Sequence, residues 1–156
     1  MDEKLLMELR SKFEEMKKEL KFKATYEEIE SHFFIEDYVA DLGFVSTRLS
    51  RQIANRIIEG PYSWMSTLHA WVFPPQDLIS MNEVKAISSE EKKEIMHIMG
   101  RIMTFFRKSK KIGFEKARKD EGEFIDEMLQ FKVKEFDPFM IKYLKKFENF
   151  WKAENK

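Results

Sequence analysis

Apolar residues recur at intervals of three and four along most of this chain, and this period most constrains its fold. Near the N-terminus the repeat is formed by Leu6, Leu9, Phe13, Met16 and Leu20. Such spacing places apolar side chains on one face of an α-helix. No segment alternates strictly between apolar and polar residues, and there is no Asn-Gly turn and no repeat of solenoid length. The sequence therefore predicts an all-α protein.

Capping residues and helix breakers divide the chain into six or seven predicted helices. Two capping boxes, Thr25 with Glu28 and Ser88 with Glu91, mark helix starts. The predicted helices cover about 2–22, 25–42, 46–60, 61–73 and 88–111, followed by one after Gly122 and one opened by Asp137 and Pro138. Ser46 is a predicted N-cap, the predicted stops are Gly43, Gly60 and Gly113, and residues 74–87 are predicted to form a loop. A chain of 156 residues has the size of one domain, so we expect a single-domain bundle over residues 1–156.

The composition excludes several classes of function. The chain has no cysteine, which excludes disulfides and thiolate chemistry and favours a reducing compartment. Its five scattered glycines form no phosphate-binding loop, and no nucleophile elbow is present. The longest stretch without charge, residues 60–76, contains three prolines and is too short and polar to span a membrane. We therefore predict a cytoplasmic, non-enzymatic protein without a membrane partner and without a cofactor.

The balance of residue types also bears on the source and the partners. Lys and Glu are abundant while only four Asn and three Gln occur, a bias typical of thermophile proteins, although ten Met do not fit it. Lys and Arg number 28 and so do Asp and Glu. No global field therefore attracts nucleic acid, and any such affinity must be local.

One local candidate is residues 35–58, IEDYVADLGFVSTRLSRQIANRII, a short predicted helix, a glycine turn and a second helix. This segment resembles a helix-turn-helix DNA-binding motif, whose second helix lies in the major groove. The resemblance places Tyr38, Leu42, Phe44 and Leu49 at packing positions. It implies that DNA is contacted by the polar face formed by Arg48, Arg51, Gln52 and Asn55. Arginine suits guanine edges, and glutamine or asparagine suits adenine.

The resemblance is partial, and a plain structural interpretation stays open beside it. Leu49, Ser50 and Arg51 are similar to the Val-Ser-Arg run of many recognition helices. However, Val45 stands where Ser or Thr usually opens the second helix, and Gln52 stands where the family has an apolar residue. The alternative is an ordinary amphipathic helix after an ordinary glycine cap.

A second candidate is the basic segment, residues 107–119, which has seven basic residues and one acid. Its basic residues are Arg107, Lys108, Lys110, Lys111, Lys116, Arg118 and Lys119. They could neutralise phosphates of DNA or RNA, provided that this segment lies near residues 48–55. The alternative is a solvated helix face.

The acidic segment, residues 26–41, gives a competing hypothesis. It has six acids, and no Lys or Arg occurs between Ala24 and Thr47. Segregated charges of opposite sign could pair between subunits, and the first-helix stripe could act as a seam. The alternative function is therefore a protein assembly subunit or adaptor, including a homo-oligomer.

A third hypothesis is a metal-binding helical bundle. Glu28, His32 and Glu36 recur four residues apart, and Glu94 precedes His97 with the Glu-x-x-His spacing of diiron bundles. The second such motif of a diiron site is missing, and the period places Glu94 and His97 opposite the apolar stripe of their helix. We therefore assign no metal ligands, and a small regulatory or nucleic-acid-associated protein is the leading interpretation.

Overall fold

The structure, a computed structural model, describes residues 2–155. Helices make up 84% of the chain, and the described residues include no strand, which confirms the predicted all-α class. Seven helices, counted with adjoining segments joined, agree with the predicted six or seven. The segments are α1 (Glu3–Leu20), α2 (Tyr26–Phe33), α3 (Ile35–Leu42), α4 (Leu49–Ser63), α5 (Met65–Val72), α6 (Leu78–Glu83), a 3-10 turn (Val84–Ala86), α7 (Ser89–Glu115), α8 (Arg118–Phe131), a π-helical segment (Lys132–Phe136) and α9 (Asp137–Glu154). No described helix combines the length and the apolar character that crossing a membrane requires.

The chain forms two compact units. The first unit is Met1–Gly60 with Phe105–Gln130, and the second unit is Pro61–Thr104 with Phe131–Lys156. Each unit therefore combines segments that are distant in the sequence.

The core of the first unit uses the N-terminal apolar stripe. Leu9, Phe13 and Met16 are buried on α1. The ring of Phe13 meets Phe22 and Tyr26 edge-on, with centroid distances of 5.6 and 5.3 Å, a favourable geometry for aromatic pairs. The three central residues of the stripe are thus covered within this chain, whereas Leu6 and Leu20 at its ends are half-buried.

The core of the second unit is an aromatic cluster between α5 and α9. Trp71 stacks on Tyr143 at a centroid distance of 5.9 Å and lies 4.7 Å from Phe147. The Tyr143 hydroxyl donates a 2.8 Å hydrogen bond to Glu94. Burial and this carboxylate raise the pKa of Tyr143, so the hydroxyl remains a donor at neutral pH.

Several predicted helix ends are confirmed. At Thr25 and at Ser88 both hydrogen bonds of the capping box form. Gly43 ends α3 in the left-handed conformation at φ 74°, which a residue without Cβ adopts at no steric cost.

The prediction of one helix over residues 25–42 is wrong, because Phe34 divides it into α2 and α3. Phe34 has φ 52° and ψ 54°, and its side chain is 55% exposed. Residues two apart on a helix point about 200° from each other. The break therefore allows both Phe33 and Ile35 to be buried, which a continuous helix would not.

The predicted bounds of the next helices are also wrong. Ser46 is not an N-cap: α4 begins at Leu49, and the Ser46 hydroxyl accepts a hydrogen bond from the Arg48 amide at 3.0 Å. Pro61 does not end the helix but lies inside α4. Proline clashes with the Cβ of the residue before it, and Gly60 has no Cβ. Because α4 continues through Pro61 to Ser63, α5 begins at Met65 instead of Pro61.

Residues 74–87 are not a plain loop. They contain α6, whose N-cap Asp77 accepts a hydrogen bond from the Ser80 amide at 2.8 Å. This hydrogen bond lowers the pKa of Asp77. The short helix was missed because its sequence shows fewer than two helical turns.

The last three predicted helix boundaries, one end and two starts, are also wrong. Helix α7 passes through Gly113 and ends at Glu115, and the left-handed residue is Lys116 at φ 52°. Gly122 lies inside α8. Asp137 is not an N-cap, because the π-helical segment continues directly into α9, and its carboxylate pairs with Lys132 at 2.7 Å.

Candidate functional site

The two basic regions identified in the sequence meet in the first unit. Arg51 on α4 donates a 3.3 Å hydrogen bond from Nη2 to the hydroxyl of Ser109 on α7. Its guanidinium also lies against Gly113, where an added Cβ would be 3.0 Å from Nη2. The start of α4 therefore packs beside the end of α7, as a shared binding surface requires.

A cleft of about 400 Å³ opens where these helices meet. Four cations line it: Arg48, Arg51, Lys116 and Arg118. Arg48 precedes α4 and Arg51 lies one turn later, whereas Lys116 and Arg118 come from the turn between α7 and α8. We call this the cationic cleft.

The cations around the cleft differ in how they are paired. Arg118 forms a 2.8 Å ion pair with Glu19, Lys108 a 2.5 Å pair with Glu127, and Lys111 a loose 3.9 Å pair with Glu115. Within the described residues, six cations of the two regions have no carboxylate within 4.0 Å: Arg48, Arg51, Arg107, Lys110, Lys116 and Lys119. These charges are available to an external anion.

Arg51 is the most constrained of these cations. It is half-buried, and its Nη1 is shielded from solvent without a hydrogen-bond partner in the described part of the chain. A buried donor without a partner costs about 1–3 kcal/mol. Because Nη1 is shielded, only the other nitrogens of the Arg51 guanidinium can meet an anion in the cleft.

Buried polar residues that the sequence analysis missed support the cleft. Ser50, Ser109 and Glu121 are 3%, 0% and 6% exposed. The Ser50 hydroxyl donates to the Glu121 carboxylate, and Glu121 lines the cleft. Nothing in the local sequence marks these positions, because their burial depends on contacts between α4, α7 and α8.

The face expected to read DNA is only partly open. Arg48 is exposed, but Arg51, Gln52 and Asn55 are half-buried. The side-chain oxygens of Gln52 and Asn55 are shielded from solvent and have no partner among the described residues. These two amides therefore do not present both their donor and their acceptor to a base edge.

The packing expected from the helix-turn-helix resemblance is wrong at two positions. Leu42 and Phe44 are 37% and 55% exposed, whereas Leu49 is buried. Because α4 begins three residues later than predicted, residues 43–48 form a longer connection, and Val45 rather than Phe44 enters the core.

The acidic segment is partly neutralised by α1. Arg10 contacts Glu27 at 3.2 Å and Glu36 at 3.6 Å. Glu30 accepts a hydrogen bond from the Glu36 amide at 2.9 Å, and burial raises the pKa of Glu30. Part of this charge is therefore used inside the first unit.

The residues of the metal hypothesis have other partners. Glu28 belongs to a capping box, Glu36 accepts from the Tyr26 hydroxyl at 2.7 Å, and Glu94 pairs with Lys142 at 2.6 Å. The described residues include no group of three or more His, Cys, Asp or Glu side chains that could hold a metal ion.

No protein-family model matches the chain, and the comparisons with curated proteins and with solved structures found no match. The chemistry of the cationic cleft is therefore the basis for a functional proposal.

Proposed function

We propose that the first unit binds nucleic acid through the sugar-phosphate backbone, at the cationic cleft. The observation that carries this proposal is that Arg48 and Arg51 line the same cleft as Lys116, although 68 and 65 residues separate them from it in the sequence. Three cations without carboxylate partners in one small volume create a local positive field on a neutral protein.

Phosphate is the anion that best suits these side chains. Exposed Arg48 and Lys116 can each neutralise one phosphate and release its counterions. Arg51 is held in place by Ser109 and Gly113, so little side-chain entropy is lost when its guanidinium contacts a phosphate oxygen. Only one carboxylate, Glu121, lines the cleft with these cations, and it accepts a hydrogen bond from Ser50.

The shielded amides favour backbone contact over reading of the base sequence. Base recognition by Gln or Asn requires the donor and the acceptor of the amide together, and the oxygens of Gln52 and Asn55 are shielded. Phosphate contacts position a protein without specifying sequence. We therefore expect binding with little sequence preference.

The proposal is tested by fluorescence anisotropy with labelled oligonucleotides at about 50 mM salt. Arg48→Ala and Lys116→Ala should each weaken binding several-fold for all sequences, because each removes one phosphate contact. Both side chains are exposed, so neither substitution disturbs the core. Lys145→Ala, an exposed cation on α9, is the control and should bind as wild type does. A wild-type protein that binds no oligonucleotide at this salt contradicts the proposal.

A second candidate function, protein assembly, is favoured by an apolar surface in the second unit. Phe73, Leu78, Ile79 and Met81 are 49–77% exposed within nine residues, more than scattered surface residues usually contribute. Light scattering would test it. An oligomer that Leu78→Glu converts to a monomer supports assembly, and a wild-type monomer at high concentration contradicts self-assembly through this surface.

A further inference from the structure

Phe114 is the most exposed of the large apolar side chains in the described part of the chain, at 89%. It follows Gly113, which lines the cationic cleft, and it lies in the last turn of α7. Its ring contacts no other aromatic ring and no cation of the described residues. The core of the first unit therefore does not explain why a phenylalanine stands here.

Three cations lie at neighbouring positions on the same helix face, although none contacts the ring. Residues three, four and seven positions apart lie on one side of a helix, which places Lys111, Lys110 and Arg107 beside Phe114. All three are exposed. Arg107 and Lys110 lie over the ring of Phe106, 5.7 and 5.1 Å from its centroid. A free aromatic face thus stands at the end of a row of positive charges, next in the sequence to Gly113, which lines the cleft.

This combination suits an unpaired, anionic, aromatic ligand. A single-stranded nucleic acid offers phosphates to the cations and unpaired bases to the ring, and stacking on an aromatic side chain tolerates any base. An acidic peptide would match the charges without using the aromatic face. Charge complementarity and the free ring together favour a single strand.

We propose that Phe114 stacks on a base of single-stranded nucleic acid whose backbone lies in the cationic cleft. This inference rests on the proposed function and adds the class of ligand. In a duplex the bases are already stacked and paired, so the ring would have to unstack them before it could insert. The shielded amides of Gln52 and Asn55 also leave the first unit without a full set of groups for reading a groove.

The test compares a single-stranded oligonucleotide of mixed sequence with its duplex, by anisotropy at one salt concentration. Wild-type protein should bind the single strand about tenfold more tightly than the duplex. Phe114→Ala should lose about tenfold in affinity for the single strand and little for the duplex. Phe114→Trp should retain binding because it keeps an aromatic face, whereas Phe114→Leu should behave as Phe114→Ala does.

Controls separate this inference from the proposed function. Met7→Ala removes another exposed apolar side chain of the first unit and should not change binding. Inorganic polyphosphate should bind wild type and Phe114→Ala with equal affinity, because it offers charge without bases. If the duplex binds as tightly as the single strand, or if Phe114→Ala binds as wild type does, the base-stacking inference is wrong and the backbone proposal stands. If neither strand form binds, both fail.

Discussion

Two glycines show how a single residue positions the helices of the first unit. At Gly113 an added Cβ would lie 3.0 Å from Nη2 of Arg51, so the guanidinium would have to shift from its position beside Ser109. At Gly122 an added Cβ would lie 2.7 Å from the carbonyl oxygen of Leu20 and 2.9 Å from its Cβ. Both atoms belong to Leu20, the last residue of α1. Gly122 therefore permits a close approach of α8 to α1, and Gly113 makes room for the cation of the cleft.

We expect Gly122→Ala to destabilise the protein by about 1–3 kcal/mol. Alanine favours helix by up to about 1 kcal/mol over glycine, but overpacking against a backbone commonly costs more than that. Gly100→Ala is the matched control, because Gly100 lies inside α7 with nothing within 4 Å of an added Cβ. It should stabilise by about 0.5–1 kcal/mol. Urea unfolding followed by circular dichroism measures both, and equal effects of the two substitutions would contradict the close approach.

At the scale of elements, the two capping boxes predicted helix boundaries better than single glycine, proline or N-cap residues did. The capping boxes at Thr25 and Ser88 are formed by residues three apart, so their hydrogen bonds are decided locally. Three helices, α1, α2 and α7, end instead at non-glycine residues with positive φ. These residues are Lys21, Phe34 and Lys116. Tertiary packing holds these strained positions. Gly113 was predicted to end a helix and Gly122 to precede one, because the sequence does not show which neighbour approaches a glycine.

The strained end of α1 gives a prediction. Lys21 is exposed and adopts φ 56° and ψ 34° as the C-cap, a conformation that costs a side-chain residue about 1 kcal/mol relative to glycine. Lys21→Gly should therefore stabilise the protein by about 0.5–1 kcal/mol. Lys18→Gly, three residues earlier on an exposed position of α1, should destabilise it by about as much. The same urea unfolding measurement compares them, and destabilisation by both would show that the left-handed cap is not strained.

At the scale of the whole molecule, charge placement matters more than net charge. The sequence has 28 positive and 28 negative side chains, and the segregation into a basic and an acidic segment was visible in it. That Arg48 and Arg51 share a cleft with Lys116 was not visible, because 68 and 65 residues separate them from it and only packing of α4 against α7 brings them together. The buried Glu121 was missed for the same reason.

A neutral protein that binds through a few cations has a shallow salt dependence, and this gives the last prediction. For single strands the logarithm of the binding constant falls with the logarithm of salt concentration by about 0.7 for each phosphate neutralised. Contacts from Arg48, Arg51 and Lys116 therefore predict a slope of about −2, and each phosphate that Arg107, Lys110 or Lys111 also neutralises makes it steeper by about 0.7. A highly basic protein would show a steeper slope. Anisotropy titrations between about 50 and 200 mM salt measure it.

Substitutions show which residues produce this salt dependence. Arg48→Ala and Lys116→Ala should each make the slope shallower by about 0.7, since each removes one phosphate contact. Phe114→Ala should weaken binding at every salt concentration and leave the slope unchanged, because a base stacked on the ring releases no counterion. Lys145→Ala should change neither affinity nor slope. A slope near zero for the wild type, or one that Arg48→Ala leaves unaltered, would show that the cationic cleft does not contact phosphate.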